Sequence, residues 1–106
     1  MVYDMFGKPF PLENMQACVG PGWAPIVEQL YILCEQYNVV VYQVKEKFGG
    51  LRFYVGEAPI VVHDAISEVE KQSEKICEQC GKNGKIVSNR GWLSCVCSDH
   101  EKKYKL

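Results

Sequence analysis

Apolar residues fall into two helical stripes with an extended stretch between them. From Trp23, the positions Trp23, Ile26, Val27, Leu30, Leu33, Cys34 and Tyr37 recur at three- and four-residue steps, the repeat of one buried helix face. Pro25 is tolerated in a first turn and Asn38 stands near the end, so the spacing predicts a helix from Trp23 to about Tyr37, with Cys34 as a core residue. A second stripe, Val62, Ile66, Val69, Ser73 and Ile76, has Asp64, Glu68, Glu70, Lys71, Glu74 and Lys75 in the intervening places. It predicts a helix over about 62–76 whose charges form a solvated face. Between the stripes, Val39 to Lys45 and Leu51 to Val55 are rich in β-branched and aromatic residues. They predict two antiparallel strands joined at Gly49-Gly50.

The flanks differ in character. Residues 1–22 contain Pro9, Pro11, Pro21, Gly7, Gly20 and Gly22, which predicts an irregular arm docked by Tyr3, Phe6 and Phe10. Near the other end, Lys85-Ile86-Val87 and Trp92-Leu93-Ser94 flank Ser88-Asn89-Arg90-Gly91, the pattern of a second, small hairpin.

Six cysteines in 106 residues change the picture, because such density in a small chain means disulfides or a metal site. The first residues carry Asp4 where a secretory signal would be basic, and the longest uncharged stretch, Asn14 to Val27, is broken by Gly20, Pro21, Gly22 and Pro25. The expectation is a cytoplasmic protein with no membrane span, in which clustered thiols bind metal. Cys77-Glu78-Gln79-Cys80-Gly81 is a C-x2-C-G knuckle, and Cys97-Ser98-Asp99-His100 is a C-x2-H pair. Each spacing lets one tight turn aim two donors at one ion, so Cys77, Cys80, Cys97 and His100 are the expected ligands of a structural Zn2+. A four-thiolate set that uses Cys95 is the competing arrangement, with disulfides or free thiols as the plain one. Cys18 has no evident role. The expected fold is α+β in a single domain, 1–106. It comprises an arm (1–22), helix, hairpin and helix (23–76), and a C-terminal zinc-ribbon-like knuckle module with a basic tail (77–106).

Composition, with 47% hydrophobic and 24% charged residues, is that of an ordinary globule. The formal charge of −1 excludes attraction of nucleic acid to the whole surface. That total conceals an acidic body, −5 over residues 1–74, and a basic end, +4 over residues 75–106. Lys82, Lys85, Arg90, Lys102, Lys103 and Lys105, with Trp92 as a stacking platform, could meet phosphates; the plainer reading is a solvated lysine-rich tail.

Gly20-Pro21-Gly22-Trp23, the block QVKEKFGGLRFY over residues 43–54, Glu70-x2-Ser73-x3-Cys77-x2-Cys80-Gly81, and Gly91-Trp92 before Cys97-x2-His100 carry a resemblance. Together they resemble a family of small uncharacterised proteins of tailed bacteriophages and prophages. The resemblance covers about Cys18 to His100. It implies that the family's last cysteine and histidine fall on Cys97 and His100, and that Cys95 occupies a variable position where the family has threonine. It also implies a phage accessory protein, and it brings no reaction with it.

Enzymatic signatures are missing: no glycine-rich phosphate loop, no H-E-x-x-H, and no H-x-E to accompany the C-x2-C. His63 reads as a lone surface histidine. The expectation is therefore a non-enzyme that binds a host protein, such as a defence component or a nucleic-acid enzyme; the alternative is a nucleic-acid-binding zinc module. Candidate partner-binding residues are Lys45, Lys47, Phe48 and Arg52 around the first hairpin turn, and Arg90 and Trp92 on the second hairpin. Phe48 has a second reading, folded back onto the core. Exposed strand edges leave homo-oligomer pairing open.

Overall fold

A computed structural model describes residues 1–101; Lys102, Lys103 and Lys105 of the expected basic tail lie outside the described residues. A single 3-10 turn, Pro21–Trp23, leads into the first long helix, α2 (Ala24–Gln36), which buries Ile26, Val27, Leu30 and Cys34. Asn38 ends it by taking a left-handed φ of 55°. The Asn38 N–H donates to the Glu35 carbonyl and the Val39 N–H to the Cys34 carbonyl, a Schellman closure. That closure turns Val39 into the core, so β1 begins at Val41, two residues later than the β-branched run predicts.

Strand β1 (Val41–Lys47) pairs antiparallel with β2 (Gly50–Val55), in a register that sets Lys47 opposite Gly50. The turn is therefore Phe48-Gly49, with φ values of 56° and 84°, and Gly50 is the first residue of β2. This corrects the expected Gly49-Gly50 turn by one residue. Strand twist selects a turn with two left-handed central residues, and here a phenylalanine accepts the first of them.

Helix α3 (Ile60–Ser73) starts after Pro59 and buries Val62, Ile66, Val69 and Ser73. It stops three residues short of the expected end, because the chain tightens into turns and Ile76 is used instead in a bridge to Asn83. Two of its side chains close the outer edge of β2. Ser73 Oγ accepts the Leu51 N–H at 2.8 Å while donating to the Glu70 carbonyl, and Glu70 Oε2 accepts the Phe53 N–H at 2.9 Å. Glu70 is thus a strand cap and not part of a solvated charge face.

The expected irregular arm also contains structure. Helix α1 (Leu12–Gln16) buries Met15, and Tyr3 bridges Pro9 while its carbonyl accepts the Val41 N–H. Val2 and Met15 anchor the arm, with Phe10 half-buried; Tyr3 and Phe6 stay exposed. Strands β3 (Lys85–Asn89) and β4 (Trp92–Val96) form the second hairpin through Arg90-Gly91, again with two left-handed residues, and α4 (Ser98–Glu101) follows. The fold is α+β, and the described residues form two long and two short helices, two separate two-stranded hairpins and a C-terminal Cys/His cluster. Among the described residues no helix is long and apolar enough to cross a membrane.

Ser73→Ala strands the buried Leu51 N–H, so urea unfolding of the variant should show a loss of about 1–3 kcal/mol.

Candidate metal centre

Two local devices aim the four donors. At Cys77 to Gly81, the Gly81 N–H donates back to the Cys77 carbonyl at 2.9 Å and Gly81 takes a φ of 82°. At Cys97 to His100, the His100 N–H returns to the Cys97 carbonyl at 3.1 Å, opening α4. The β3–β4 hairpin carries the second pair back onto the first. All four ligand atoms lie within 4.8 Å of one another. Cys80 Sγ is 3.6 Å from Cys97 Sγ, and His100 Nδ1 is 3.5 Å from Cys77 Sγ and 3.2 Å from Cys97 Sγ. A tetrahedral ion with ordinary metal–sulfur and metal–nitrogen bonds sets about 3.8 Å between sulfurs and about 3.5 Å between sulfur and nitrogen. The cluster fits a metal ion, and four protein ligands would leave no coordination position open.

The protonation chemistry suits thiolate ligation. Burial opposes ionisation of Cys77, but the backbone amides of Cys97, Cys80 and Gln79 outweigh it and hold the thiol below its ordinary range. The His100 amide, against burial and with help from the His100 ring, does the same for Cys97. The Lys82 amide pulls Cys80 downward, yet burial and the neighbouring Cys77 and Cys97 sulfurs leave it raised. A cation at the centre removes that mutual repulsion.

Cys95 is not a fourth sulfur. It is fully buried in the main core, and its Sγ donates to the Ile76 carbonyl at 3.1 Å. Burial, with the nearby Cys77 adding to it, pushes its thiol up to about 11. Burial alone does the same to Cys34, also to about 11. Cys18 is exposed on the arm, its Sγ donating to the Asn14 carbonyl.

What sequence reasoning missed is how the knuckle joins the body. Trp23 Nε1 donates to the Ile76 carbonyl at 2.9 Å, the Gly22 N–H to the Glu78 carbonyl at 2.6 Å, and the Gly20 N–H to Glu78 Oε2 at 3.0 Å. Burial raises the Glu78 carboxyl, with the Gly20 amide pulling the other way. A Cβ on Gly22 would collide with the Cys77 carbonyl oxygen and come within 2.5 Å of the Gly81 nitrogen. The Gly-Pro-Gly-Trp segment is thus a seat for the first ligand turn. Nothing in the local spacing signals this, because the partners are more than fifty residues away.

The expected partner-binding residues do not touch the cluster. Lys45 and Arg52 are half-buried and directly opposed on β1 and β2, while Lys47, Phe48, Arg90 and Trp92 are exposed at the two hairpin tips. Phe48 is 64% and Trp92 71% exposed, so Phe48 does not fold back onto the core. The tips enclose a cleft of about 240 Å³ lined by Glu46, Lys47, Phe48, Gly91, Trp92 and Leu93. His63 is exposed on α3, apart from the metal-ligand cluster. Comparison with protein-family models, curated proteins and solved structures gives no match to this chain.

Thiol labelling near neutral pH, mapped by mass spectrometry, should separate the cysteines into three classes. Cys18, exposed though its thiol is raised by partial burial, reacts first, Cys77, Cys80 and Cys97 only after a chelator, and Cys34 and Cys95 only on unfolding. Gly22→Ala should cost about 1–3 kcal/mol in denaturant melts through overpacking and weaken metal retention in a chelator titration.

Proposed function

We propose that the chain is a small accessory factor stapled by a structural zinc ion, acting by binding a macromolecule and not by catalysis. Three thiolates and one imidazole at tetrahedral spacing form a donor set suited to Zn2+. With every position filled by protein, the ion would hold the knuckle and hairpin and do no chemistry of its own.

The observation that carries the binding reading is Phe48. Its left-handed φ of 56° is a backbone state that an aromatic residue adopts only at a cost of about 1–2 kcal/mol. Its side chain is nevertheless 64% exposed. Neither turn chemistry nor core packing accounts for an aromatic there, whereas a contact surface does. Trp92, across the cleft, offers a second exposed ring. In the cytoplasmic, phage-type setting that the sequence resembles, the partner is a host protein, with nucleases and defence components as the class. A nucleic-acid partner is the second reading, favoured by the opposed cations Lys45 and Arg52.

Elemental analysis should give one zinc per chain, lost in Cys80→Ser together with thermal stability. The metal-loaded chain should retain a host component from lysate that Phe48→Ala and Trp92→Ala release, each costing about 2–4 kcal/mol of binding. Retention equal to that of a metal-stripped control would refute the binding reading.

A further inference from the structure

The outer face of the β1–β2 hairpin sets two cations directly across from each other, with Arg52 Nη1 donating to the Leu51 carbonyl at 2.9 Å. The register pairs Lys45 with Arg52 and Gln43 with Tyr54, placing these four on one face, opposite the face that Val44 and Phe53 bury. Lys47 continues the face toward the tip. Like charges directly across a strand pair destabilise it. Among the described residues the ion pairs are Met1–Glu35 and Lys82–Asp99, so neither relieves this face. The Glu46 carboxylate, one residue from both lysines, accepts the Gly49 N–H at 2.7 Å. Glu74 lies on the Gly50 side of Arg52 without forming an ion pair to it.

Lysines on a free strand edge commonly block unwanted pairing, which would explain Lys45 and Lys47 on β1. It does not explain Arg52, because the edge of β2 is already closed by Ser73 and Glu70. Nor does it explain the aromatics on the same path. Tyr54 is exposed beneath the Lys45 ammonium, 5.6 Å from its ring centre, and Phe48 lies under Lys47 at 5.4 Å. Beyond Phe48 come the cleft, Trp92 and, on the neighbouring turn, Arg90. Gly49 lies against the Ile86 side chain of β3, where a Cβ would come within 3.2 Å, so the first tip packs on the body of the second hairpin.

We propose that this face, continued by the cleft between the tips, binds single-stranded nucleic acid, with phosphates on Lys45, Lys47 and Arg52 and one unstacked base against Trp92. This rests on the hairpin tips being the contact surface, as proposed above, but not on a host-protein partner. The cleft, at about 240 Å³, falls below the roughly 300–1,000 Å³ of small-molecule sites and suits one planar ring. A single strand supplies a phosphate and a flat ring at every step, matching cations interleaved with aromatics. A duplex keeps its bases stacked away from such a cleft. An acidic peptide would satisfy the cations and leave the row of rings unused.

The test uses the metal-loaded full chain and fluorescence anisotropy with labelled oligo(dT), oligo(U), a duplex and a polyglutamate peptide. The single strands should bind more tightly than the duplex, and log K should fall against log[salt] with a slope of about −2 for three phosphate contacts. Trp92→Ala should weaken binding about 5- to 150-fold with an unchanged slope. Lys45→Glu converts the like-charged pair into an opposite one, so it should raise the melting temperature and yet weaken binding at least about tenfold. A purely structural role for Lys45 predicts no loss of binding in a more stable protein. Absence of single-strand binding, preference for the duplex, binding unaffected by Lys45→Glu, or a preference for polyglutamate each overturns the proposal. If single strands fail while Phe48→Ala still releases a lysate partner, the contact surface stands and only its ligand class is wrong.

Discussion

One carbonyl holds the two parts of the molecule together. Ile76 leaves the end of α3 and offers its oxygen to Trp23 Nε1 and to Cys95 Sγ, so the start of α2 and the last strand converge where the first ligand turn begins. Gly22 sits directly on the Cys77 carbonyl, and the backbone of Glu78 bonds both to Gly22 and to the Cys95 carbonyl. The ligand turn is therefore built against the domain core. An ion held by the cluster would steady the seating of Trp23 as well as the knuckle, and strain at Gly22 would be felt at the four donors. The coupling is short-range packing and hydrogen bonding, which a change of one methyl group can disturb.

The two hairpins share a local solution with different consequences. Each closes through a two-residue turn with both central residues left-handed, Phe48-Gly49 and Arg90-Gly91. In each, glycine takes the second place without strain and a large side chain takes the first, where asparagine would be the comfortable choice. The result is an aromatic and a guanidinium held outward on rigid tips. Since β2 is capped by α3, the sheet cannot extend on that side, and the hairpin's free surface is its basic, aromatic outer face. In the proposed reading, the Cys/His cluster serves stability and the exposed turns serve recognition, so the two are kept in separate places.

Much of the metal site was legible in the sequence. Two short spacings, Cys77 to Cys80 and Cys97 to His100, are local geometry, and local geometry is what sequence spacing encodes. The helical stripes were legible for the same reason: Ile26, Val27, Leu30 and Cys34, then Val62, Ile66, Val69 and Ser73, are buried where the periodicity places them. The end of α3 was less so, because Ile76 is committed to a bridge with Asn83 that no periodicity reveals. Glu70 is a case of its own. On a helical wheel it is one more surface carboxylate, and only its approach to the Phe53 N–H makes it a strand cap.

The sequence by itself determined the two long helices, the two hairpins and the two short-spaced pairs, Cys77 with Cys80 and Cys97 with His100, since each depends on residues within a few positions of one another or on one local repeat. Tertiary structure decided that Cys95 belongs to the core and not to the cluster, that Gly20-Pro21-Gly22-Trp23 seats the knuckle, and that Phe48 and Trp92 line one cleft. Those outcomes join segments from nineteen to fifty-eight residues apart. Their free energy comes from contacts that exist only once the helices and hairpins have packed, so no local pattern can carry it.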